Sequence, residues 1–134
     1  NHKKSIVTSF IQNIMNNKPI QINGDGEHTR DYVSAEDLSV AIYKSILKCK
    51  GNNIFHISTG KETSINKLID KLRKIFNDHS IILPKIINRD DRPGDIRFNS
   101  LSTVHTKKTL NWASKVSIEK GVRKTVTWFL HNHS

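Results

Sequence analysis

Strand-type and helix-type segments alternate along the chain, and this alternation restricts its fold more than any other feature. In the helix-type segments, apolar residues recur at three- and four-residue intervals, which predicts amphipathic helices. The predicted helices occupy residues 5–16, 35–48, 64–76, 102–110 and 117–130. The predicted strands are short and rich in Ile, and they occupy residues 20–22, 53–58, 81–83 and 86–87. This alternation predicts an α/β fold with short, mostly parallel strands and flanking helices.

Serine residues mark the predicted starts of four helices. Ser34, Ser64, Ser102 and Ser117 each stand just before a periodic segment, where a hydroxyl can accept a hydrogen bond from the first turn. In the second helix most apolar residues fall on one stripe, so we expect that stripe to be buried. The stripe consists of Leu38, Ala41, Ile42, Ser45 and Ile46.

The length of 134 residues suits one domain, and a first residue other than Met is typical of a fragment, so we expect a single domain or fragment over residues 1–134. Cys49 is the only cysteine, so no internal disulfide can form and a cytoplasmic location is expected. No apolar run approaches the roughly 18 residues that a membrane helix needs. His131 and His133 lack the cysteine or carboxylate neighbours of a zinc site, so we predict no metal site.

The chain is basic, with 22 Lys and Arg residues against 12 Asp and Glu and a formal net charge of +10. Such an excess favours anionic partners such as phosphates, nucleic acid or acidic surfaces. Nucleic-acid binding is nevertheless not favoured, because no block of consecutive basic residues occurs and aromatic residues do not alternate with the lysines.

Two turn clusters concentrate Gly, Arg and Asp, at residues 24–32 and 92–95. Glycines allow the backbone to turn tightly and to approach a ligand closely. An adjacent Arg offers a planar set of donors that fits a phosphate, and an Asp can accept hydrogen bonds from sugar hydroxyls. The residue chemistry alone leaves two interpretations open, a phosphate site and a pair of structural Arg–Asp ion pairs.

Nine short motifs follow one another in a characteristic order. They occupy residues 18–26, 29–33, 36–38, 53–60, 63–65, 92–97, 110–112, 119–122 and 127–128. In this order and spacing the chain resembles the C-terminal part of NAD-dependent nucleotide-sugar epimerases and dehydratases. These enzymes belong to the extended short-chain dehydrogenase/reductase family, and the chain resembles the UDP-glucose 4-epimerases among them. The resemblance covers essentially the whole chain and implies the substrate-binding C-terminal region of that fold, without most of its Rossmann half.

The resemblance implies how a UDP- or dTDP-sugar would be bound. Arg30 and Arg92 would hold the diphosphate or ribose region, and Asp95 would accept hydrogen bonds from the ribose hydroxyls. A ligand with two negative charges favours more than one guanidinium, and each turn cluster supplies one.

The base of the nucleotide would lie against a different part of the chain. The resemblance implies that the backbone around Gln21 and Ile22 lines the base pocket, with Tyr32 nearby.

The catalytic motifs of the family do not occur in these 134 residues. The Gly-rich NAD fingerprint is missing, and neither Tyr32 nor Tyr43 is followed four residues later by Lys. We therefore expect no catalytic residue in this chain, no NAD binding by it alone and no turnover. NAD would belong to the complete parent enzyme, and the partners would be the nucleotide sugar and the missing N-terminal NAD-binding half.

Helices that pack on that half would expose apolar faces such as Phe10, Ile11 and Ile14, and such a patch allows a homodimer.

Two other function classes remain open from the sequence. The first is a non-catalytic basic module that keeps the scaffold but binds a polyanion or a protein partner. The second is a purely structural domain whose Arg and Asp residues pair with one another.

Overall fold

The computed structural model describes residues 5–132, in which helices alternate with short strands. The helices are α1 (Ile6–Met15), α2 (Ala35–Lys48), α3 (Ile65–Asn77), α4 (Val104–Leu110) and α5 (Ile118–Asn132). The strands are β1 (Ile20–Asn23), β2 (Thr29–Arg30), β3 (Thr63–Ser64) and β4 (Ile86–Arg89). Among these residues no helix combines the length and apolar character that crossing a membrane requires. The architecture is mixed α/β with flanking helices, as the sequence predicts.

The strands form two short pairs. β1 and β4 are parallel, with Ile20 opposite Ile86 and Asn23 opposite Arg89. β2 pairs with β3. The parallel β1–β4 pair agrees with the predicted strand direction.

The chain divides into two compact units. The first unit comprises residues 1–28, 64–97 and 122–134, and the second comprises residues 29–63 and 98–121. The assignment of residues 1–134 to a single domain or fragment stays a prediction.

Apolar residues of α1, β1, α3 and α5 form the core of the first unit. α1 contacts β1, and its residues Phe10, Ile11 and Ile14 are at most 3 % exposed. The expectation that these three side chains are exposed is therefore wrong. They face the core of their own unit, where Ile20 and Ile22 of β1 are also buried.

The second unit has a small core. Its fully buried apolar residues are Ala41 of α2, Leu110 at the end of α4, and Trp112. Half-buried side chains pack around these three, namely Val33, Cys49, Phe55 and Ile57.

The predicted buried stripe of α2 is mostly exposed. Ala41 is buried, but Leu38, Ile42 and Ile46 are 38 %, 51 % and 72 % exposed. Periodicity identifies the apolar side of a helix correctly, yet it does not show whether another element of the chain covers that side. In the second unit, α2 instead turns Asp37 and Ala41 toward the core.

Three of the four predicted helix caps are present. The hydroxyls of Ser34, Ser64 and Ser117 each accept a hydrogen bond from the backbone N–H three residues later. α4 begins one residue later than expected, after Thr103 rather than Ser102, and without a side-chain cap hydrogen bond.

Two predicted strands take part in no strand pair within the described residues. Segment 53–58 and segment 81–83 both lie outside the ladders, whereas the predicted strand at 86–87 is part of β4. A β-strand is defined by its neighbour, and the local sequence carries no information on whether that neighbour is present.

Candidate functional site

The first turn cluster follows β1 and contacts the start of α3. Gly24 and Gly26 adopt φ values of +69° and +78°, in the left-handed region that favours glycine. The Asp25 carboxylate accepts a hydrogen bond from the Glu27 N–H at 2.9 Å. Asn66 donates from its backbone N–H to the Gly26 carbonyl (3.1 Å) and from Nδ2 to the Asp25 carbonyl (3.0 Å). The turn is therefore fixed in position by the first residues of α3.

A side chain at Gly26 should lower the stability of the protein by more than the strain of its positive φ alone would cost. A Cβ at Gly26 would lie 2.2 Å from Asn66 Oδ1, so the Asn66 side chain would have to move. We expect Gly26→Ala to lower the free energy of unfolding by about 2 kcal/mol in urea titrations. Gly51 has a similar φ of +72° and no atom within 4 Å, so Gly51→Ala isolates the strain and should cost about 1 kcal/mol. Equal costs for the two variants would mean that the Asn66 contact contributes nothing.

The second turn cluster follows β4 and is fixed to the first. Asn88 Nδ2 donates to the Gly24 carbonyl at 2.8 Å, and the Gly24 N–H donates to the Arg89 carbonyl at 2.8 Å. The Asp91 carboxylate occupies the space beside Gly24, where a Cβ would otherwise lie. The same carboxylate lies 3.7 Å from Nε2 of His28, which is 7 % exposed. The absence of a side chain at Gly24 thus makes room for Asp91.

The loop that follows β4 is held at its C-terminal end by an ion pair. Arg97 Nη2 lies 2.7 Å from Asp25 Oδ2, and the hydrogen bonds from the Glu27 N–H and from Arg97 lower the pKa of Asp25. Between the two anchored ends, the Asp95 N–H donates to the Arg92 carbonyl at 3.1 Å and closes a turn. Arg92 and Asp95 are both exposed. Within residues 5–132 the Arg92 guanidinium makes no hydrogen bond or ion pair, so it is available to a ligand.

In the second unit, Arg30 and Tyr32 are half-buried neighbours on one short segment. Arg30 Nη1 donates a hydrogen bond to the Thr29 carbonyl at 2.7 Å. Burial raises the pKa of Tyr32, while the nearby Arg30 charge acts in the opposite direction. The hydroxyls of Tyr32 and Thr29 are buried without a hydrogen-bond partner in the part of the chain that the structure describes.

Asp31 lies between these two residues and anchors the loop at residues 58–61 of the second unit by hydrogen bonds. Its carboxylate accepts hydrogen bonds from Ser58 Oγ (2.7 Å), the Thr59 N–H (2.9 Å), Thr59 Oγ1 (2.6 Å), the Gly60 N–H (2.7 Å) and the Lys61 N–H (3.2 Å). Burial is the largest single influence on this carboxyl and raises its pKa, but the hydrogen bonds together lower the pKa below its usual value. Asp31 therefore fixes the backbone that carries Arg30 and Tyr32.

Asp37 plays a comparable role at the start of α2. Its buried carboxylate accepts hydrogen bonds from the Lys115 N–H (3.1 and 3.0 Å) and the Val116 N–H (2.9 Å). Its backbone carbonyl accepts from Trp112 Nε1 at 3.0 Å. Sequence analysis identified neither Asp31 nor Asp37 in these roles, because the donors lie far away in the chain and follow no spacing rule.

The six predicted site residues are divided between the two units. The first unit holds Gln21, Ile22, Arg92 and Asp95, and the second holds Arg30 and Tyr32. Gln21 is exposed, whereas the Ile22 side chain is 3 % exposed and belongs to the core, so only its backbone could face a ligand. Their roles in binding stay predictions.

A cavity of about 440 Å³ lies in the second unit between α2 and α4. Its lining includes Trp112, the satisfied carboxylate of Asp37 and the cationic side chains of Lys44, Lys107 and Lys115. None of the six predicted site residues lines this cavity.

Solved structures define the fold class. A UDP-glucose 4-epimerase from Thermotoga maritima, determined with UDP-glucose, matches with a TM-score of 0.86 and 31 % identity. That match covers 97 % of this chain and 40 % of the epimerase. A UDP-glucose 4-epimerase from Thermus thermophilus in complex with NAD has the same fold, with a TM-score of 0.82 at 23 % identity, and covers 95 % of this chain and 40 % of that one. The fold is thus part of the extended short-chain dehydrogenase/reductase fold.

The family follows from the sequence comparison. Residues 2–125 match the family described as GDP-mannose 4,6 dehydratase. The UDP-glucuronate 4-epimerase of Thermodesulfobacterium geofontis is 32 % identical over 124 residues, which are 92 % of this chain and 37 % of that protein. The chain belongs to this family of NAD-dependent nucleotide-sugar epimerases and dehydratases and is similar to UDP-glucose 4-epimerases, which confirms the resemblance. It spans about 40 % of the length of these relatives.

Proposed function

We propose that this chain is the nucleotide-sugar-binding part of an NAD-dependent epimerase or dehydratase. The observation that carries the proposal is the loop after β4, which is anchored at both ends and presents Arg92 and Asp95 to solvent. By contrast, Arg97 further along the same loop is paired with Asp25. A purely structural role would leave no reason to hold the unpaired Arg92 guanidinium on a fixed loop.

The ligand is a UDP- or dTDP-sugar in this proposal. Arg30 and Arg92 bind the diphosphate, and Asp95 accepts hydrogen bonds from the ribose hydroxyls. The solved Thermotoga maritima relative was determined with UDP-glucose, which supports a ligand of this class.

The base of the nucleotide lies against the backbone of Gln21 and Ile22, close to Tyr32. The buried hydroxyl of Tyr32 lacks a partner within the described residues, and a bound nucleotide could supply one.

Catalysis needs more than these residues provide. NAD belongs to the remaining part of the fold, because the Gly-rich fingerprint and the Tyr-x-x-x-Lys pair do not occur in this sequence. The chain by itself therefore binds the substrate without turning it over. The single free Cys49 fits a reducing compartment, in keeping with a cytoplasmic enzyme.

Arg92→Ala should weaken the binding of UDP-glucose by about 2 kcal/mol, the scale of a lost charge-assisted hydrogen bond. Calorimetry with the wild-type and variant chains measures this directly. Arg73→Ala is the matched control, because Arg73 is an exposed cation of the first unit that pairs with Asp70 away from the loop. Equal affinity of the Arg92→Ala and wild-type chains would remove Arg92 from the site.

A second candidate function is a basic module that binds a polyanion without catalysis. The three lysines around the cavity of the second unit favour it, together with the net charge of +10. Binding to random DNA that falls steeply with salt would support this function, because counterion release dominates such complexes. Competition by millimolar UDP that persists in salt would instead support the nucleotide-sugar site.

A further inference from the structure

The cavity between α2 and α4 lies outside the proposed nucleotide-sugar site, since none of the residues assigned to that site lines it. Its volume of about 440 Å³ is typical of a site for a small molecule. The lining has an apolar part and a cationic part. A ligand that uses both parts must therefore carry an apolar body and negative charge.

The apolar part of the lining consists of Val40 of α2 together with Trp112 and Ala113, which follow α4. Trp112 Nε1 donates a hydrogen bond to the Asp37 carbonyl at 3.0 Å, so the polar atom of the indole is already satisfied. Trp112 is 3 % exposed and belongs to the core of the second unit, which fixes its ring in position. This wall suits an apolar or aromatic group, which gains by leaving water.

The cationic part of the lining consists of Lys44, Lys107 and Lys115. Lys44 Nζ donates one hydrogen bond, to the Asn111 carbonyl, and an ammonium group has two further donors. Within residues 5–132 the ammonium groups of Lys107 and Lys115 make no hydrogen bond or ion pair. The three side chains together therefore offer several donors to an anion.

Asp37 contributes the only carboxylate of the lining, and it is already engaged. Its oxygens accept hydrogen bonds from the Lys115 N–H and the Val116 N–H. With three ammonium groups and one carboxylate, the lining carries two net positive charges. This charge disfavours a metal cation and matches a phosphomonoester, which carries nearly two negative charges at neutral pH.

Hydrogen bonds between distant parts of the second unit fix the two sides of the cavity. Lys44 and Lys48 of α2 donate to the Asn111 and Leu110 carbonyls at the end of α4. The Asp37 carboxylate holds the backbone of Lys115 on the same side of α2. The cavity is therefore formed before a ligand arrives, which lowers the cost of binding.

We propose that this cavity binds a small phosphomonoester with an apolar or aromatic body. The body packs against Trp112 and its apolar neighbours, and the phosphate accepts hydrogen bonds from Lys44, Lys107 and Lys115. A polyanion would need an extended row of cations and would gain nothing from the apolar wall. The inference does not depend on the proposed nucleotide-sugar site.

Phenyl phosphate is the probe, and the whole chain is titrated with it by calorimetry and by NMR. We expect saturable binding that shifts the Trp112 indole N–H signal and the Ala113 amide signal. Inorganic phosphate should bind at least about tenfold more weakly, because it leaves the apolar wall uncovered. Benzyl alcohol, which has no charge, should show no saturable binding.

Lys107→Met and Lys115→Met should each weaken phenyl phosphate binding about tenfold, because methionine keeps an apolar stem but removes the ammonium group. Both lysines are exposed, so the variants should fold as the wild-type chain does. Lys108→Met is the matched control, since Lys108 is exposed on the same helix and does not line the cavity. It removes an equal charge and should change the affinity by less than about twofold.

Three results would overturn the proposal. These are no saturable binding of phenyl phosphate, an equal loss of affinity in Lys108→Met, and random DNA shifting the Trp112 and Ala113 signals when phenyl phosphate does not. The last result would assign the lysines to a polyanion. Arg92→Ala should leave phenyl phosphate binding unchanged, and a loss there would place the probe at the other site and also contradict the proposal. UDP-glucose binding is measured separately, so failure of this proposal is distinguishable from failure of the proposed function.

Discussion

Asp37→Ala should be the most destabilising of the polar substitutions considered for this chain, with a loss of about 4 kcal/mol in the free energy of unfolding. The buried carboxylate accepts hydrogen bonds from two consecutive backbone N–H groups, those of Lys115 and Val116. Alanine removes the acceptor that both donors share, and each hydrogen bond to a charged group contributes about 1.5–3 kcal/mol. Urea unfolding, followed by circular dichroism and by tryptophan fluorescence, measures the loss.

Two variants serve as controls for Asp37→Ala. Asp37→Asn keeps one acceptor oxygen and should recover part of the stability. Asp70→Ala removes an exposed carboxylate that pairs with Arg73, and its effect should stay within about 0.5 kcal/mol. If Asp37→Ala were as mild as Asp70→Ala, the carboxylate would not be holding the segment at 115–116.

Asp31→Asn should cost about 3 kcal/mol at neutral pH, and the cost should shrink in acid. The folded protein lowers the pKa of Asp31, so the carboxylate is favoured in the folded state relative to the unfolded chain. The resulting stability is present above the unfolded pKa of about 3.9 and is lost as the pH falls through the lower pKa of the folded state. Urea unfolding between pH 7 and pH 2 should therefore show the wild-type and Asp31→Asn curves converging at the acid end.

Asp90→Asn provides the comparison for this pH series. Asp90 is exposed on the loop after β4, so its replacement removes one carboxylate without disturbing the second unit. Its stability curve should run parallel to that of the wild-type protein at every pH. A constant difference between wild-type and Asp31→Asn proteins down to pH 2 would contradict the assigned pKa direction.

Local rules predicted the elements of this chain well. The helix starts at Ser34, Ser64 and Ser117 are present because a serine cap depends only on residues within one turn. The same holds for the glycine turn after β1, where the left-handed backbone of Gly24 and Gly26 is a local requirement.

Burial and pairing could not be read from local patterns. The stripe of α2 has the correct period, yet Ile42 and Ile46 are exposed because no element of the described chain covers them. Segment 53–58 alternates as a strand does, yet it lacks a neighbour to complete a ladder. Both differences have one physical cause, since both features depend on contacts with elements distant in sequence.

In the candidate site, too, the features that depend on local sequence could be predicted, whereas those that depend on distant contacts could not. The Arg and Asp residues of the two turn clusters could be selected because their chemistry suits a diphosphate and a ribose. The anchoring roles of Asp31 and Asp37 could not be predicted, because each carboxylate receives hydrogen bonds from residues at least 27 positions away. The signal that could have pointed to Asp31 is its position between Arg30 and Tyr32, opposite a Ser-Thr-Gly sequence rich in donors.

The central claim is that Arg30 and Arg92 bind the same diphosphate. Its most direct test is a calorimetric comparison of UDP-glucose with uridine, in the wild-type chain and in the Arg30→Ala and Arg92→Ala variants. Each variant should lose about 30-fold in affinity for UDP-glucose, the equivalent of about 2 kcal/mol, and almost nothing for uridine, which carries no phosphate. Wild-type affinity for UDP-glucose in both variants, or no saturable binding to the wild-type chain, would contradict the claim.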